Sequence, residues 1–284
     1  MNQAPPLQPA TSRTPATPWR LLPYSEDPPE VELAAAEALL AGLSRAPRPA
    51  LRWYGARQPA LVIGSGQRLA DVDQSALAAT GVTLHKRASG GAAVLFAPGF
   101  LMQDIALPAD HSLHQQDVSE SYRWLGEVWV AALRELGIAA RLVSIPEARA
   151  DARTLDPLAR LACFGGWSPC EVLASERKVV GFSQIRRRPG ALLQVGLYTR
   201  WPGRELAALL RLPPAGRERL ATLLDGRVAG LADLLPEPPP PERIVAAFAR
   251  ALAERHGVVL APAGWREDEL AAAAAARSRY APIT

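Results

Sequence analysis

Apolar residues recur at helical spacing in several segments of the chain. These segments are rich in Ala, Leu and Glu, which are strong helix formers. A capping box, with Asp117 at the cap and Glu120 three residues later, marks the start of one of them. The segments predict helices over residues 30–44, 71–80, 117–136, 204–211, 216–224, 242–255 and 266–279.

Short β-rich runs lie between these helices, and the first two, residues 51–54 and 60–64, predict a hairpin. Residues 145–161 predict a looser segment. The order of elements does not follow regular β-α-β units, so the sequence predicts an α+β fold with mixed or antiparallel sheets flanked by helices. The predicted strands cover residues 51–54, 60–64, 82–86, 138–144, 171–175, 178–185, 191–199 and 258–260.

The distribution of proline and of helical segments predicts three parts. Residues 1–18 are rich in Pro, Ala and Thr and predict a disordered leader. Residues 19–202 predict the main domain. Residues 203–284 predict a smaller, mostly helical C-terminal part.

Composition excludes several classes of protein. The net charge of +4 is dispersed, whereas a nucleic-acid-binding surface concentrates its cations. No apolar run is long enough to cross a bilayer, and the N-terminus lacks the apolar core of a signal peptide. Two cysteines among 284 residues are no disulfide framework, which favours a cytoplasmic protein. Cys163 and Cys170 have no nearby histidine, so no metal site is expected.

Lysine is scarce in this chain, since Lys86 and Lys178 are the only two among 32 cationic residues. Lys178 follows a predicted turn and begins a predicted strand, a position from which a side chain can reach a neighbouring pocket. An ammonium differs from a guanidinium in its compact, strongly hydrated charge. A lysine in a chain that otherwise uses arginine therefore indicates a chemical role. A solvated residue at a hairpin turn explains the same pattern.

Residues 87–94 place a cation before a run of small residues. After Arg87 come Ser89, Gly90, Gly91 and Ala92, where backbone N–H groups can approach an anionic or carbonyl group closely. The alternative is a simple β-hairpin bend, with residues 94–96 and 100–107 as its two arms.

Three separated motifs resemble the family of lipoate–protein ligase A and the octanoyltransferases, relatives of the biotin ligases. Residues 86–94 are similar to the family pattern R-R-x-S-G-G-G-A-V. Residues 176–184 resemble G-R-K-[IV]-x-G-S-A-Q, which includes Gly181, Ser183 and Gln184, and residues 227–236 resemble the start of the family's C-terminal part. The resemblance covers about residues 30–260 and implies that residues 19–202 form the catalytic, acyl-binding domain.

The resemblance assigns roles to these residues. It implies that Lys178 holds the carbonyl of an acyl group and that the loop from Arg87 to Ala93 forms the facing wall. A subgroup of cysteine-using octanoyltransferases carries C-F-x-x-x-S-x-x-E before the lysine, which matches Cys163, Ser168 and Glu171 in register. A thiol beside cations favours the nucleophilic thiolate, and backbone N–H groups of the loop can stabilise an oxyanion. Cys163 is therefore the expected nucleophile, with a buried structural thiol as the alternative.

Three functions stay open at this level. The first is a transferase that passes an octanoyl or lipoyl group through Cys163 to a lysine of a carrier domain, with an octanoyl-carrier thioester as donor. The second is a lipoate–protein ligase that uses lipoate, ATP and Mg and does not need Cys163. The third is a non-catalytic relative that binds an acyl group or a carrier protein.

The resemblance also implies partners and shows departures. The expected partners are acyl carrier protein and a lipoyl domain or glycine-cleavage H protein, with no tightly bound cofactor, no nucleic acid and no membrane, and the expected state is a monomer. Ala92 replaces the third glycine of the family loop. Phe96 and Val195 stand where many relatives carry histidine, so no general-base histidine is evident.

Overall fold

The computed structural model describes residues 17–283, so the predicted leader lies outside the described residues except for its last two positions. The helices are α1 (Pro29–Gly42), α2 (Gln74–Thr80), α3 (Glu120–Glu135), α4 (Ile145–Thr154), α5 (Gly203–Ala208), α6 (Pro214–Asp225), α7 (Pro241–His256) and α8 (Glu267–Ala276). The strands are β1 (Trp19–Leu21), β2 (Ala50–Tyr54), β3 (Ala60–Ile63), β4 (Thr83–Lys86), β5 (Val94–Phe96), β6 (Phe100–Pro108), β7 (Ala140–Leu142), β8 (Val172–Ala174), β9 (Arg177–Arg187), β10 (Gly190–Tyr198) and β11 (Leu260–Pro262).

Two sheets organise residues 17–283. The larger has eight strands in the order β11-β1-β2-β6-β10-β9-β8-β7, and the smaller has the order β4-β3-β5. Strands β2, β6, β10, β9, β8 and β7 pair antiparallel, whereas β1 pairs parallel with both β2 and β11. The predicted α+β class with mixed sheets is confirmed, and β11 brings a strand from the predicted C-terminal part into the large sheet.

The two faces of the large sheet carry different chemistry. On one face, Trp53 of β2 packs edge-on against Trp129 of α3 and Phe248 of α7, with ring centroids 5.8 and 5.3 Å apart. On the other face the fully buried Arg52 bonds Glu32 of α1 at 2.5 Å and Asp104 of β6 at 2.7 Å. Each of these buried charges therefore has a partner of opposite sign. Removing one partner from such a buried group costs about 3–5 kcal/mol of stability.

Two predicted pairings are wrong. Residues 51–54 and 60–64 do not form a hairpin, because β2 pairs with β1 and β6 in the large sheet and β3 pairs with β4 and β5 in the small one. Strands β5 and β6 likewise lie in different sheets, so the hairpin alternative for the glycine loop is also wrong. Local β propensity marked the strands, whereas their partners depend on contacts distant in sequence.

Two local details also differ from expectation. The side chain of Asp117 accepts bonds from the amides of Ser119 and Glu120, but Glu120 pairs with Arg123 instead of completing a capping box. The predicted loose segment contains α4, whose capping box pairs Ser144 with Glu147 and has proline in the first turn. That S-x-x-E signal was present in the sequence.

Candidate active site

Cys163 lies in a short 3-10 turn that is bonded to the end of the glycine loop. Its amide donates to the carbonyl of Ala93 at 2.9 Å, and the amide of Ala93 donates to Leu161 at 3.1 Å. These bonds form a parallel bridge between residues 93 and 162 and hold the cysteine against the loop. The Cys163 side chain remains partly exposed, as a nucleophile must be.

The guanidinium of Arg87 lies beside the sulfur. Nη2 donates to the carbonyls of Gly90 and Ala92, both at 2.9 Å, and lies 3.6 Å from Sγ of Cys163. Nη1 donates to the carbonyl of Val62 at 3.2 Å. Arg87 is buried, and no carboxylate among residues 17–283 forms a salt bridge with it. Its positive charge is therefore available to a thiolate or a developing oxyanion.

Gly91 allows this close approach. Its φ is +96°, in the region that favours glycine, and a Cβ there would lie 2.7 Å from Nη2 of Arg87 and 3.1 Å from Sγ of Cys163. Gly64, at the end of β3, supports the loop from behind, since a Cβ there would lie 1.9 Å from the carbonyl oxygen of Gly91. The replacement of the family's third glycine by Ala92 is tolerated because this residue does not adopt a positive φ.

The loop also presents backbone donors. Within the described part of the chain, the amides of Gly90, Gly91 and Ala92 donate to no acceptor. All three residues line a polar cleft of about 480 Å³ that also contains Cys163 and Arg160. Ser89 is buried and does not line this cleft, and its carbonyl accepts the amide of Ser65 at 3.0 Å. The loop can therefore offer N–H groups to an oxygen that develops charge beside the sulfur.

Lys178 lies beneath the cysteine turn. Its side chain is 1% exposed, and Nζ bonds Oε2 of Glu171 at 2.8 Å and the carbonyl of Cys163 at 3.3 Å. The β8–β9 turn that positions it places Ser175 and Glu176 in the left-handed region, which confirms a tight turn here. The role of Lys178 in holding an acyl carbonyl stays a prediction, since its ammonium bonds protein groups in this structure.

The remaining predicted residues follow β9. Gly181 makes room for an aromatic ring, because a Cβ there would lie 3.0 Å from the ring of Phe164. Ser183 lies between the polar cleft and an apolar cavity and contributes to both linings. Gln184 lines the cleft and donates to the carbonyl of Val118 at 3.1 Å, so it fixes the chain before α3.

The apolar cavity has a volume of about 60 Å³ and begins at Cys163 and Arg87. Its walls come from both sheets, from α1 and from the residue after the cysteine. Cavities with such predominantly apolar linings are typical binding sites for apolar groups. The main apolar lining residues are Leu33, Tyr54, Val94, Phe96, Phe100, Met102, Phe164, Phe182 and Val195.

Three residues with roles at the site were not predicted. Glu171 was recognised only as part of a motif, yet besides Lys178 it accepts the amides of Ser168 at 2.7 Å and Phe182 at 3.2 Å. Asp151 and Arg227 pair with each other and hold the turn after Cys163. Arg227 donates to the carbonyl of Gly165, and Asp151 accepts the amide of Trp167 at 2.8 Å. The S-I-P-E capping signal of residues 144–147 indicates a helix that includes Asp151. Its partner Arg227 lies 76 residues further along the chain, so the sequence does not reveal the pair.

Burial shifts the pKa of some groups near the site. Burial raises the pKa of Tyr198 well above its usual value, and its hydroxyl donates to the carbonyl of Leu95 at 2.8 Å. Burial also raises the pKa of the Cys170 thiol, which makes it a poor nucleophile. No histidine lines the cavity or the cleft, and His85 bonds Tyr280 and Thr83 instead.

Residues 17–283 contain neither a candidate metal site nor a membrane-spanning helix. No group of three or more potential metal-ligating side chains is present among the described residues. None of the described helices is long and apolar enough to cross a membrane.

Two named relatives match most of the chain in sequence. The chain is 33% identical over 266 residues to Octanoyltransferase LipM of Kyrpidia tusciae, covering 92% of this chain and 96% of that one. It is 30% identical over 271 residues to Octanoyltransferase LipM of Moorella thermoacetica, covering 94% and 97%.

Solved structures share the fold. The bi-partite lipoate protein ligase of Thermoplasma acidophilum, described with its E2 lipoyl domain, has a TM-score of 0.75 at 22% identity and 92% coverage of both chains. A lipoate-protein ligase A bound with ATP has a TM-score of 0.72 at 22% identity, covering 93% of this chain and 95% of the other. Residues 28–253 match the lipoyl protein ligase A/B catalytic domain. The chain therefore belongs to the lipoyl protein ligase A/B catalytic domain family and is an enzyme of that family.

Proposed function

We propose that this enzyme is an octanoyltransferase of protein lipoylation, which moves an octanoyl group from a carrier thioester through Cys163 to a lysine of a lipoyl domain. The observation that supports this most strongly is the position of Sγ at the junction of an apolar cavity and an open polar cleft, 3.6 Å from the guanidinium of Arg87, which forms no salt bridge within residues 17–283. The names of the relatives that share most of the chain agree with it.

In the first half-reaction, the thiolate of Cys163 attacks the thioester carbonyl carbon. The carbonyl oxygen becomes an oxyanion, which the free amides of Gly90, Gly91 and Ala92 stabilise together with the charge of Arg87. The C–S bond to the carrier then breaks, the carrier leaves as a thiolate and takes a proton from water, and the acyl group stays on Cys163. Its apolar chain occupies the cavity.

In the second half-reaction, the neutral amine of the acceptor lysine enters through the polar cleft. Its nitrogen attacks the acyl-Cys163 carbonyl, the C–S bond breaks, and an amide forms while the thiolate of Cys163 is regenerated. The amine proton passes to solvent, because no histidine lines the cleft. Lys178 supports both steps by donating to the main-chain carbonyl of Cys163, which holds the cysteine turn in place. Glu171 keeps the charge of that lysine paired.

Transfer assays with purified partners test the proposal. The protein is incubated with octanoyl-acyl carrier protein and a lipoyl domain, or with lipoate, ATP and Mg²⁺ and the same domain, and the domain is weighed by intact-mass spectrometry. Octanoylation from the carrier is expected for the wild type and for Cys170→Ala, and its loss for Cys163→Ala. Modification that needs ATP and survives Cys163→Ala would instead identify a ligase, and no modification with either donor would identify a binding protein.

A further inference from the structure

The far wall of the apolar cavity separates it from a second hollow at the surface. This second hollow, the Pro28 cleft, has a volume of about 200 Å³ and is lined by residues 26–29, residues 55–58 and Phe96. Phe96 also lines the apolar cavity, and it is the residue that the two linings share. Its ring therefore forms the partition between them.

Phe96 is firmly held in this position. It ends β5, where it pairs with Ala60 of β3, and it is 6% exposed. Its ring lies 5.7 Å from Phe100, which in turn lies 6.4 Å from Phe164, the residue after the cysteine. This row of rings leads from Cys163 along the cavity to the partition.

The sizes of the two spaces suggest a limit on the acyl chain. A cavity of about 60 Å³ has room for about four to six water-sized groups at about 10–15 Å³ each, so an octanoyl chain already fills it. The Pro28 cleft offers more than three times the volume, and its lining combines Pro28, Pro29, Gly55 and Ala56 with the polar residues Glu26, Asp27, Arg57 and Gln58. Without the ring at position 96, a longer chain has somewhere to go.

We propose that Phe96 is the residue that sets the length of the acyl chain, by closing the apolar cavity against the Pro28 cleft. This inference rests on the proposed acyl transfer. A chain longer than octanoyl meets the ring of Phe96 and is rejected. Removal of the ring joins the two spaces and admits dodecanoyl or tetradecanoyl groups.

The test compares kcat/KM for octanoyl- and dodecanoyl-carrier in the wild type, Phe96→Ala and Leu95→Ala. Leu95 is the buried neighbour of Phe96 in β5 and lines neither space, so Leu95→Ala controls for a general loosening of this strand. The ratio of dodecanoyl to octanoyl transfer is expected to rise at least about tenfold in Phe96→Ala, since one methylene in an apolar pocket is worth about 10–200-fold. The ratio in Leu95→Ala should stay close to that of the wild type. An unchanged ratio in Phe96→Ala, or an equal rise in both variants, overturns the inference.

Two further measurements keep the result interpretable. Phe96→Leu retains a bulky apolar side chain and replaces Phe96→Ala if that variant does not fold, with a smaller rise expected. Binding of free octanoate and dodecanoate, measured by calorimetry, reports on chain length without catalysis. If the wild type transfers no acyl group, the proposed function fails, yet a gain of dodecanoate affinity in Phe96→Ala still supports the partition. If transfer occurs and neither readout shifts, only the partition fails.

Discussion

Gly91→Ala should damage the chemistry far more than the fold. The new Cβ would lie 2.7 Å from Nη2 of Arg87 and 3.1 Å from Sγ of Cys163, both below the 3.4 Å at which ordinary contact begins. The guanidinium and the sulfur must therefore move away from the residue between them. A displacement of about 1 Å at a reacting group costs about a hundredfold in rate, so kcat/KM for octanoyl transfer should fall about that much.

The cost to stability is smaller and can be matched. An alanine at φ +96° pays about 1–2 kcal/mol for the left-handed backbone, against about 5–15 kcal/mol of total stability. Gly81 provides the control, because it has φ +67° and a Cβ there would meet nothing within 4 Å. Gly81→Ala should lose similar stability and keep its transfer rate.

The assay pairs urea unfolding with steady-state octanoyl transfer for both variants. The account requires similar losses of unfolding free energy and a large difference in kcat/KM. Equal transfer rates in Gly91→Ala and Gly81→Ala would refute the idea that this close packing of loop, guanidinium and sulfur matters for catalysis.

Three further outcomes follow from the structure. Glu171→Gln leaves the charge of Lys178 buried without an anion, so the free energy of unfolding should fall by about 3–5 kcal/mol. Adding Lys178→Met to the same chain should recover part of that loss. A loss below about 1 kcal/mol, the value of an exposed pair, would argue against a buried ion pair here. Iodoacetamide at neutral pH should modify Cys163 and spare Cys170, whose thiol is 3% exposed and has a pKa raised by burial, whereas equal labelling contradicts the assignment. Burial lowers the pKa of His256 below its ordinary 6.5, so the stability it contributes is complete above pH 6.5 and is lost as pH falls through the lower folded value. Urea midpoints should therefore drop on acidification, and less so in His256→Gln.

The predicted elements and the predicted site differ in how they depend on local sequence. The turn and strand around Lys178 were predictable, since they depend on residues adjacent in the chain. Glu171, the partner of that lysine, was recognised only as part of the motif C-F-x-x-x-S-x-x-E. Its salt bridge was not predicted, because a contact across a β-hairpin depends on the register of the two strands. Pairing of β2 and β3 was wrong for the same reason: each strand finds its partners far along the chain.

The glycine loop shows a second limit. The pattern from Arg87 to Ala92 indicated a site for an anionic or carbonyl group, and its residues do meet Cys163. The sequence did not indicate that Arg87 rather than Lys178 is the cation beside the sulfur, because burial and pairing decide which charge stays available. Nor did it mark Phe96 as a partition, since that role exists only where two hollows meet.

A rapid-quench, single-turnover experiment tests the central claim most directly. The wild-type enzyme is mixed with octanoyl-acyl carrier protein, quenched in acid and digested, and the peptide that contains Cys163 is weighed before and after a lipoyl domain is added. The account predicts a thioester adduct of one octanoyl group on Cys163 that forms before product and disappears as the lipoyl domain is modified, while Cys170 stays free. Modification of the lipoyl domain with Cys163 unacylated throughout would contradict it.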